Sequence, residues 1–93
     1  MLYKIKRSTA FKQEVKKIRK RGYDMTLLDY VVDILAMGKQ LPPSYKDHAL
    51  IGNWKGYREC HVAPDWLLIY KIEDNVLILT LQRTGTHSDL FKK

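Results

Sequence analysis

The sequence predicts an α+β fold in which an N-terminal strand and a two-helix hairpin precede an antiparallel meander of three strands, with both helices on one face of the sheet. Three observations support this prediction. Apolar residues recur at helical spacing between residues 11 and 35, they alternate or run together in three later segments, and only short turns separate those segments. A chain of 93 residues is expected to form one domain, over residues 1–93.

The first two elements are a half-buried strand and a basic amphipathic helix. Leu2–Arg7 alternates apolar and basic residues, which is the period of a strand with one buried face. Ser8 or Thr9 can cap a helix that follows, and Gly22 is expected to end it. Three apolar residues recur along one side of this helix, with Lys and Arg between them: Phe11, Val15 and Ile18.

The second helix is expected to begin after Asp24, whose carboxylate can cap it, and to end at Gly38. A broad apolar stripe marks the face that should contact the core: Leu27, Leu28, Val31, Val32 and Leu35. Because the link between the two helices is short, they should form an antiparallel hairpin.

The segment Gln40–Lys55 is predicted to be an irregular loop because it contains two prolines and a glycine. So long a loop in a small domain is often functional. Three strand-like runs follow, joined by short turns at residues 63–65 and 73–75: Tyr57–Val62, Trp66–Ile72 and Val76–Arg83. The second and third runs are apolar on both faces, so they should lie in the middle of the sheet.

The composition is strongly basic. The chain has 17 Lys and Arg against 10 Asp and Glu, a formal net charge of +7. Such a charge indicates a polyanionic partner, namely nucleic acid, a membrane surface or an acidic protein, although it also serves solubility alone. The lone Cys60 excludes an internal disulfide, and neither a signal peptide nor a membrane-length apolar run is apparent. We therefore expect a cytoplasmic protein without a membrane partner.

All three histidines lie in the second half of the chain, where the predicted topology can bring them together. In an antiparallel meander, the end of one strand and the start of the next share one edge of the sheet. The same edge should therefore receive four polar residues: His61, Asp65, Arg83 and His87. The long loop can bring His48 to the same place.

Such a cluster suits metal-free RNA cleavage. A general base takes the proton from a ribose 2′-OH, which attacks the adjacent phosphate, and a general acid protonates the departing 5′-oxygen. Histidine can serve in either role near neutral pH, and an arginine can neutralise the charge that builds on the phosphate. An exposed Trp66 or Phe91 could stack on a base. This chemistry requires no metal and no other cofactor.

The same residues also have plainer explanations. A single histidine near a strand end is more often scaffold than catalyst, Asp65 after Pro64 is by default a turn residue, and large aromatics are by default core. Metal binding by the edge cluster is disfavoured because the chain lacks paired-ligand motifs such as H-E-x-x-H. A Cys60–His61 nucleophilic pair is also disfavoured, because neighbouring strand residues point to opposite faces.

The second half of the chain carries four long motifs: Y-K-D-H-A-L at 45–50, W-K-G-Y-R at 54–58, H-V-A-P-D-W-L-L-I-Y-K at 61–71 and R-T-G-T-H-S-D-L-F at 83–91. Together they resemble the YafQ branch of the RelE superfamily of toxin ribonucleases. The resemblance covers nearly the whole chain once the β-α-α order of the first half is included. Two departures are conservative: Ala49 stands where a proline is common, and Cys60 where a small residue is common.

The resemblance implies a RelE-like β-α-α-β-β-β fold and an mRNA interferase of a type II toxin–antitoxin pair. Such an enzyme cleaves mRNA in the ribosomal A site, next to ribosomal RNA, and a cognate antitoxin neutralises it. The family's active-site residues fall on His48, His61, Asp65, Arg83 and His87. Trp66 and Phe91 are implied as supporting aromatics at the substrate.

Within this interpretation, His87 is the expected general acid and Arg83 the contact to the scissile phosphate. Either Asp65 or His61 is the base, and His48 positions the ribose or the phosphate. Basic residues of the first helix would hold ribosomal RNA through phosphate contacts. The alternative function is a non-catalytic RNA-binding or antitoxin-binding module of the same fold, and the completeness of the histidine cluster favours the enzyme.

Overall fold

The computed structural model describes residues 2–91, and within that range the chain forms one mixed sheet, three α-helices and two short 3-10 turns. The strands are β1 (Lys4–Arg7), β2 (His48–Ala49), β3 (Arg58–Ala63), β4 (Trp66–Glu73) and β5 (Ile78–Gly85). The α-helices are α1 (Thr9–Lys20), α2 (Met25–Ala36) and α3 (His87–Leu90). The 3-10 turns are Pro43–Tyr45 and Gly52–Trp54. The predicted α+β class is confirmed.

Both long helices begin at the predicted caps. The hydroxyl of Ser8 accepts a hydrogen bond from the backbone N–H of Phe11 at 3.0 Å, and the carboxylate of Asp24 accepts one from Thr26 at 3.0 Å. These bonds satisfy backbone donors that have no partner in the first turn of a helix. Beyond the last turn of each helix, Gly22 and Gly38 take positive φ values of 85° and 76°, a conformation that glycine adopts without strain.

The strands follow the order β1-β5-β4-β3-β2. The last three strands of the chain form the predicted antiparallel meander, and β4 and β5 lie inside the sheet as expected. β1 pairs in parallel with β5, because the helical hairpin carries the chain back across the sheet before the meander begins. The sheet is therefore mixed.

The structure differs from the sequence prediction in several local features. β5 begins at Ile78 and not at Val76, because Leu77 turns the chain with a φ of 54°. The predicted irregular loop contains the two-residue strand β2, which pairs with β3. Residues 87–90 form the short helix α3. A two-residue strand and a one-turn helix are too short to have a recognisable apolar period.

The hydrophobic core lies on the face of the sheet that the helices cover. Along β4, Trp66, Leu68 and Tyr70 belong to this core, whereas Leu67 and Ile69 are buried outside it. This alternation is the normal period of a strand, with successive side chains on opposite faces. No helix within residues 2–91 is long and apolar enough to cross a membrane.

Candidate active site

The turn between β3 and β4 meets the junction between β5 and α3 at one edge of the sheet. The backbone N–H of His87 donates to Oδ1 of Asp65 at 3.3 Å, and the ring Nδ1 of His87 lies 2.9 Å from the same oxygen. The ring of His61 lies 6.0 Å from that of His87, centroid to centroid. Three of the four residues predicted at this edge, His61, Asp65 and His87, therefore lie together in the structure. The fourth, Arg83, is paired with Glu14 of α1.

The start of α3 fixes the backbone of His87. Thr86 and Asp89 form a reciprocal capping box, in which each side chain accepts a hydrogen bond from the other residue's backbone N–H. The guanidinium of Arg21 donates to both carboxylate oxygens of Asp89, at 2.8 Å and 3.2 Å. Arg21, followed by the backbone bond from Thr86, holds the pKa of Asp89 far below its usual range. The single turn of α3 is thus tied to the end of α1 through Asp89.

Gly85 allows the chain to turn into α3. Its φ of 156° lies at the border of the region that side chains avoid, and a Cβ atom there would come within 2.9 Å of the Cβ of Asp89. A side chain at this position would push Asp89 away from its cap. The glycine between Arg83 and His87 is therefore required by the packing of the site.

Asp65 is an exposed carboxylate whose charge is stabilised by His87. Hydrogen bonds from the ring and then from the backbone N–H of His87 lower the pKa of Asp65. Asp65 is consequently ionised throughout the neutral range, and it is a weaker proton acceptor than an ordinary aspartate. The arrangement favours a carboxylate that orients and stabilises the histidine.

Arg83 faces α1 and is paired with Glu14. Its Nε donates to Oε2 of Glu14 at 2.8 Å, and Nη2 of the same guanidinium lies 2.6 Å from that oxygen. The second oxygen of Glu14 accepts the backbone N–H of Thr84 at 3.1 Å. Glu14, which sequence reasoning missed, therefore orients both the side chain and the backbone of this part of β5. Its only sequence signal is an isolated acidic residue on an otherwise basic helix.

His48 lies on β2, directly opposite Glu59 of β3. Its Nε2 is 3.4 Å from Oε1 of Glu59, and its Nδ1 is 2.7 Å from the carbonyl oxygen of Lys46. Glu59 is buried, and because it lies two residues before His61 on the same strand, both side chains belong to one face. Glu59 thus contacts His48 and shares a strand face with His61. Sequence reasoning missed Glu59, although its spacing of two residues from His61 on a predicted strand is a signal that could have found it.

The expectation that Trp66 is exposed is wrong. Its side chain is 1% exposed. Its ring packs edge-on against that of Tyr23, with 5.3 Å between the ring centroids, and its indole N–H donates to Oγ1 of Thr84 at 2.9 Å. A base cannot stack on a ring that is enclosed in the core. Phe91 is 39% exposed, with its ring 6.4 Å from that of His87, so it is the aromatic that is available at the site.

The burial of Trp66 predicts that its contribution is to stability. We expect Trp66→Ala to lower the free energy of unfolding by about 3–5 kcal/mol, the usual cost of emptying a large buried aromatic site. Phe91→Ala should cost about 1 kcal/mol or less, because the side chain is partly in solvent. Urea denaturation of both variants measures the difference. Equal losses in the two variants would contradict the assignment of Trp66 to the core.

Cys60 faces the core behind His61. Its side chain is fully buried, and burial raises the pKa of its thiol well above the usual range. A buried neutral thiol is a poor nucleophile. This location agrees with the expectation that Cys60 and His61 do not act as a nucleophilic pair.

Comparison with known proteins places these features in a family. The family model described as "Bacterial toxin of type II toxin-antitoxin system, YafQ" matches residues 3–92. The mRNA interferase toxin YafQ of Escherichia coli strain K12 is 48% identical over 88 residues, which cover 94% of each chain.

Two solved structures have nearly the same fold. The crystal structure of YafQ from E. coli strain BL21(DE3) superposes with a TM-score of 0.89 at 46% identity, over 96% of this chain and 98% of that one. The toxin chain in a crystal structure of the E. coli DinJ–YafQ complex gives a TM-score of 0.88 at 47% identity, with the same coverage of 96% and 98%.

Proposed function

The chain belongs to the YafQ family of bacterial toxins from type II toxin–antitoxin systems, and we propose that it cleaves mRNA in the A site of the ribosome by metal-free acid–base catalysis. Its relatives named as mRNA interferases identify it as an endoribonuclease. The observation that carries the mechanistic proposal is the grouping of His61, Asp65 and His87 at one edge of the sheet.

In the proposed reaction, the substrate supplies its own nucleophile. A base removes the proton of a ribose 2′-OH, the 2′-oxygen attacks the adjacent phosphorus, and the bond to the 5′-oxygen breaks as an acid protonates that oxygen. The products are a cyclic 2′,3′-phosphate and a free 5′-OH. Two imidazoles whose centres lie 6.0 Å apart suit this reaction, since base and acid must act on opposite sides of the phosphorus.

His87 acts as the general acid in this proposal. The Asp65 carboxylate accepts the Nδ1 proton of His87, so that Nε2 is directed away from Asp65 and toward the substrate. The same contact holds the imidazole in a fixed orientation for the acid step. Phe91 borders the ring on another side, where it can support the ring or contact a base.

His61 is the better candidate for the general base. Asp65 is the alternative that the sequence leaves open, but its lowered pKa makes it a poor proton acceptor, and its contact with His87 already gives it a role. His48 contacts Glu59, which lies on the same face of β3 as His61. His48 is therefore proposed to position the ribose or the phosphate.

Arg83 is proposed to stabilise the negative charge that builds on the phosphate. A guanidinium has five N–H donors, and Glu14 engages those on Nε and Nη2. The Nη1 donors and the remaining donor of Nη2 can still reach a phosphate oxygen. Glu14 therefore holds the guanidinium of Arg83 in one orientation without using all of its N–H donors. A donor that is already in place can stabilise the developing charge with little rearrangement.

Neutralisation by a cognate antitoxin is proposed on the basis of the family. The E. coli relative forms a DinJ–YafQ complex, and its toxin chain matches this chain over nearly its full length. A partner with a net negative charge would complement the basic charge of +7.

Primer extension tests the proposed function directly. Purified protein is added to a reporter mRNA, either free or engaged by purified ribosomes with an open A site. We expect new 5′ ends within the A-site codon, and only when ribosomes are present. Identical cuts on free mRNA would contradict the A-site proposal, while binding to the ribosome without new 5′ ends would indicate a non-catalytic module.

The basic stripe of α1 is proposed to contact ribosomal RNA. Lys12, Lys16 and Lys20 recur every fourth residue on the exposed side of the helix. Neutralising all three to Gln should weaken binding to ribosomes. It should also reduce the slope of log K against log salt by about 0.7–0.9 for each phosphate that a lysine no longer neutralises.

Binding measured between low and moderate salt gives these slopes. The matched control replaces three exposed lysines elsewhere, Lys4, Lys39 and Lys55, with Gln and so removes the same charge. If both triple variants reduce the slope equally, binding depends on net charge alone, and the α1 contact is wrong.

A further inference from the structure

The loop that carries His48 is fastened to the sheet through the carboxylate of Asp47. The phenol of Tyr70 on β4 donates to Oδ1 of Asp47 at 2.6 Å. Nε of Arg58 on β3 donates to the same oxygen at 3.3 Å. Three separate parts of the chain, namely the loop, β3 and β4, therefore meet at one oxygen atom.

This contact lies on the opposite side of the backbone from His48. Asp47 immediately precedes β2, whose first residue is His48. Asp47 contacts Tyr70, which belongs to the core on the helical side, whereas His48 contacts Glu59 on the other side. A shift of the backbone at Asp47 therefore also shifts His48, because one rigid peptide unit joins the two residues.

The backbone before Asp47 indicates that the loop needs such an anchor. Lys46 adopts a left-handed conformation, with φ 51° and ψ 39°, although it is not a glycine. A residue in this region is strained and stays there only when its surroundings hold it. Its carbonyl oxygen receives the Nδ1 proton of His48, so the strained unit also sets the orientation of the ring.

The phenol of Tyr70 is well suited to be a constant hydrogen-bond donor to Asp47. Tyr70 is 1% exposed, and burial, followed by the hydrogen bond to Asp47, raises the pKa of its phenol. The phenol is therefore protonated, and able to donate, throughout the neutral range. A hydrogen bond from a phenol to an ionised carboxylate is shorter and stronger than one between neutral groups.

We propose that Asp47 is a positioning residue which, through Tyr70 and Arg58, holds His48 at the active site. The inference rests on the function proposed above for His48, and it adds residues that do not touch the substrate. Neither Asp47 nor Tyr70 contributes a group to proton transfer. Their effect is on the position of the loop relative to β3.

Tyr70→Phe tests the proposal by removing one oxygen atom and no charge. We expect the kcat of ribosome-dependent cleavage to fall roughly 10-fold, because displacement of an active-site group by about 1 Å costs up to about 100-fold. KM should remain close to the wild-type value, since the basic stripe of α1 is unaffected. A fall in kcat without a change in KM therefore distinguishes a misplaced His48 from a defect in binding.

Tyr3→Phe is the matched control. The phenol of Tyr3 also donates to a carboxylate, that of Asp74 in the turn between β4 and β5, and Tyr3 is likewise buried. This variant should lower the melting temperature by an amount similar to that of Tyr70→Phe, because it loses the same kind of bond. Its kcat should stay at the wild-type value, since Asp74 does not border His48 in sequence or pairing.

NMR spectra of the histidine rings provide a readout that does not depend on activity. Tyr70→Phe should shift and broaden the ring resonances of His48 and leave those of His87 in place, whereas Tyr3→Phe should move neither. Unmoved His48 resonances in Tyr70→Phe, with a kcat equal to that of Tyr3→Phe, would overturn the inference. Full activity of His48→Ala would instead contradict the role proposed for His48, so the two failures are distinguishable.

Discussion

His87→Gln is expected to lower the single-turnover rate of mRNA cleavage by roughly 100- to 10,000-fold, the range that general acid catalysis contributes. The amide of glutamine can still donate a hydrogen bond to Asp65, but it cannot deliver a proton to the departing 5′-oxygen. The fold should be unaffected, because the His87 side chain is 56% exposed. Rapid mixing of the enzyme with programmed ribosomes, followed by primer extension, measures the rate.

Ser88→Ala is the control for this substitution. Ser88 is the next residue of α3 and is exposed, so the variant tests whether any change in that turn disturbs the site. It should cleave at the wild-type rate. A His87→Gln enzyme that retains more than about a tenth of the wild-type rate would contradict its role as the acid, given the size of such effects.

Arg83→Gln is expected to lower kcat by roughly 100- to 1,000-fold, the loss observed when one preorganised donor to a developing negative charge is removed. Arg83→Lys should recover part of this loss, because the charge is restored but the planar fork is not. Single-turnover cleavage at saturating ribosome concentration separates this effect from binding.

The pairing of Arg83 with Glu14 requires a parallel measurement of stability. Arg83→Gln leaves a half-buried carboxylate without its cation, which should cost about 1–3 kcal/mol of unfolding free energy. Arg7→Gln, at an exposed position at the end of β1, serves as the charge control and should change neither quantity appreciably. If Arg83→Gln loses stability but keeps its kcat, the arginine is structural and the proposed phosphate contact is wrong.

The grouping of His61, Asp65 and His87 follows from features that a sequence displays. The turn at residues 63–65 is too short for anything but an antiparallel connection, so the residues around it must face the junction after β5. β4 and β5 are also predictable as inner strands, because their sequences are apolar on both faces. Local patterns of spacing and turn length are sufficient for these features.

Glu14 illustrates what local patterns cannot show. Its partner Arg83 lies 69 positions away, and the pairing depends on where α1 crosses β5. The exposure expected for Trp66 is wrong for a related reason. Trp66 begins β4 beside the active-site turn, yet it shares the face of Leu68 and Tyr70, which the helices cover. The strand's alternation contains this information, but it can be used only once the covered face is known.

The most direct test of the acid–base account uses an mRNA whose scissile 5′-oxygen in the A-site codon is replaced by sulfur. A thiol has a pKa of about 8.5, so a thiolate departs without being protonated and needs no general acid. We expect the rate loss of His87→Gln to shrink to about 10-fold or less on this substrate, while the loss in His61→Gln persists, because the 2′-OH still requires a base. An undiminished loss in His87→Gln would show that His87 does not protonate the leaving group and would contradict the account.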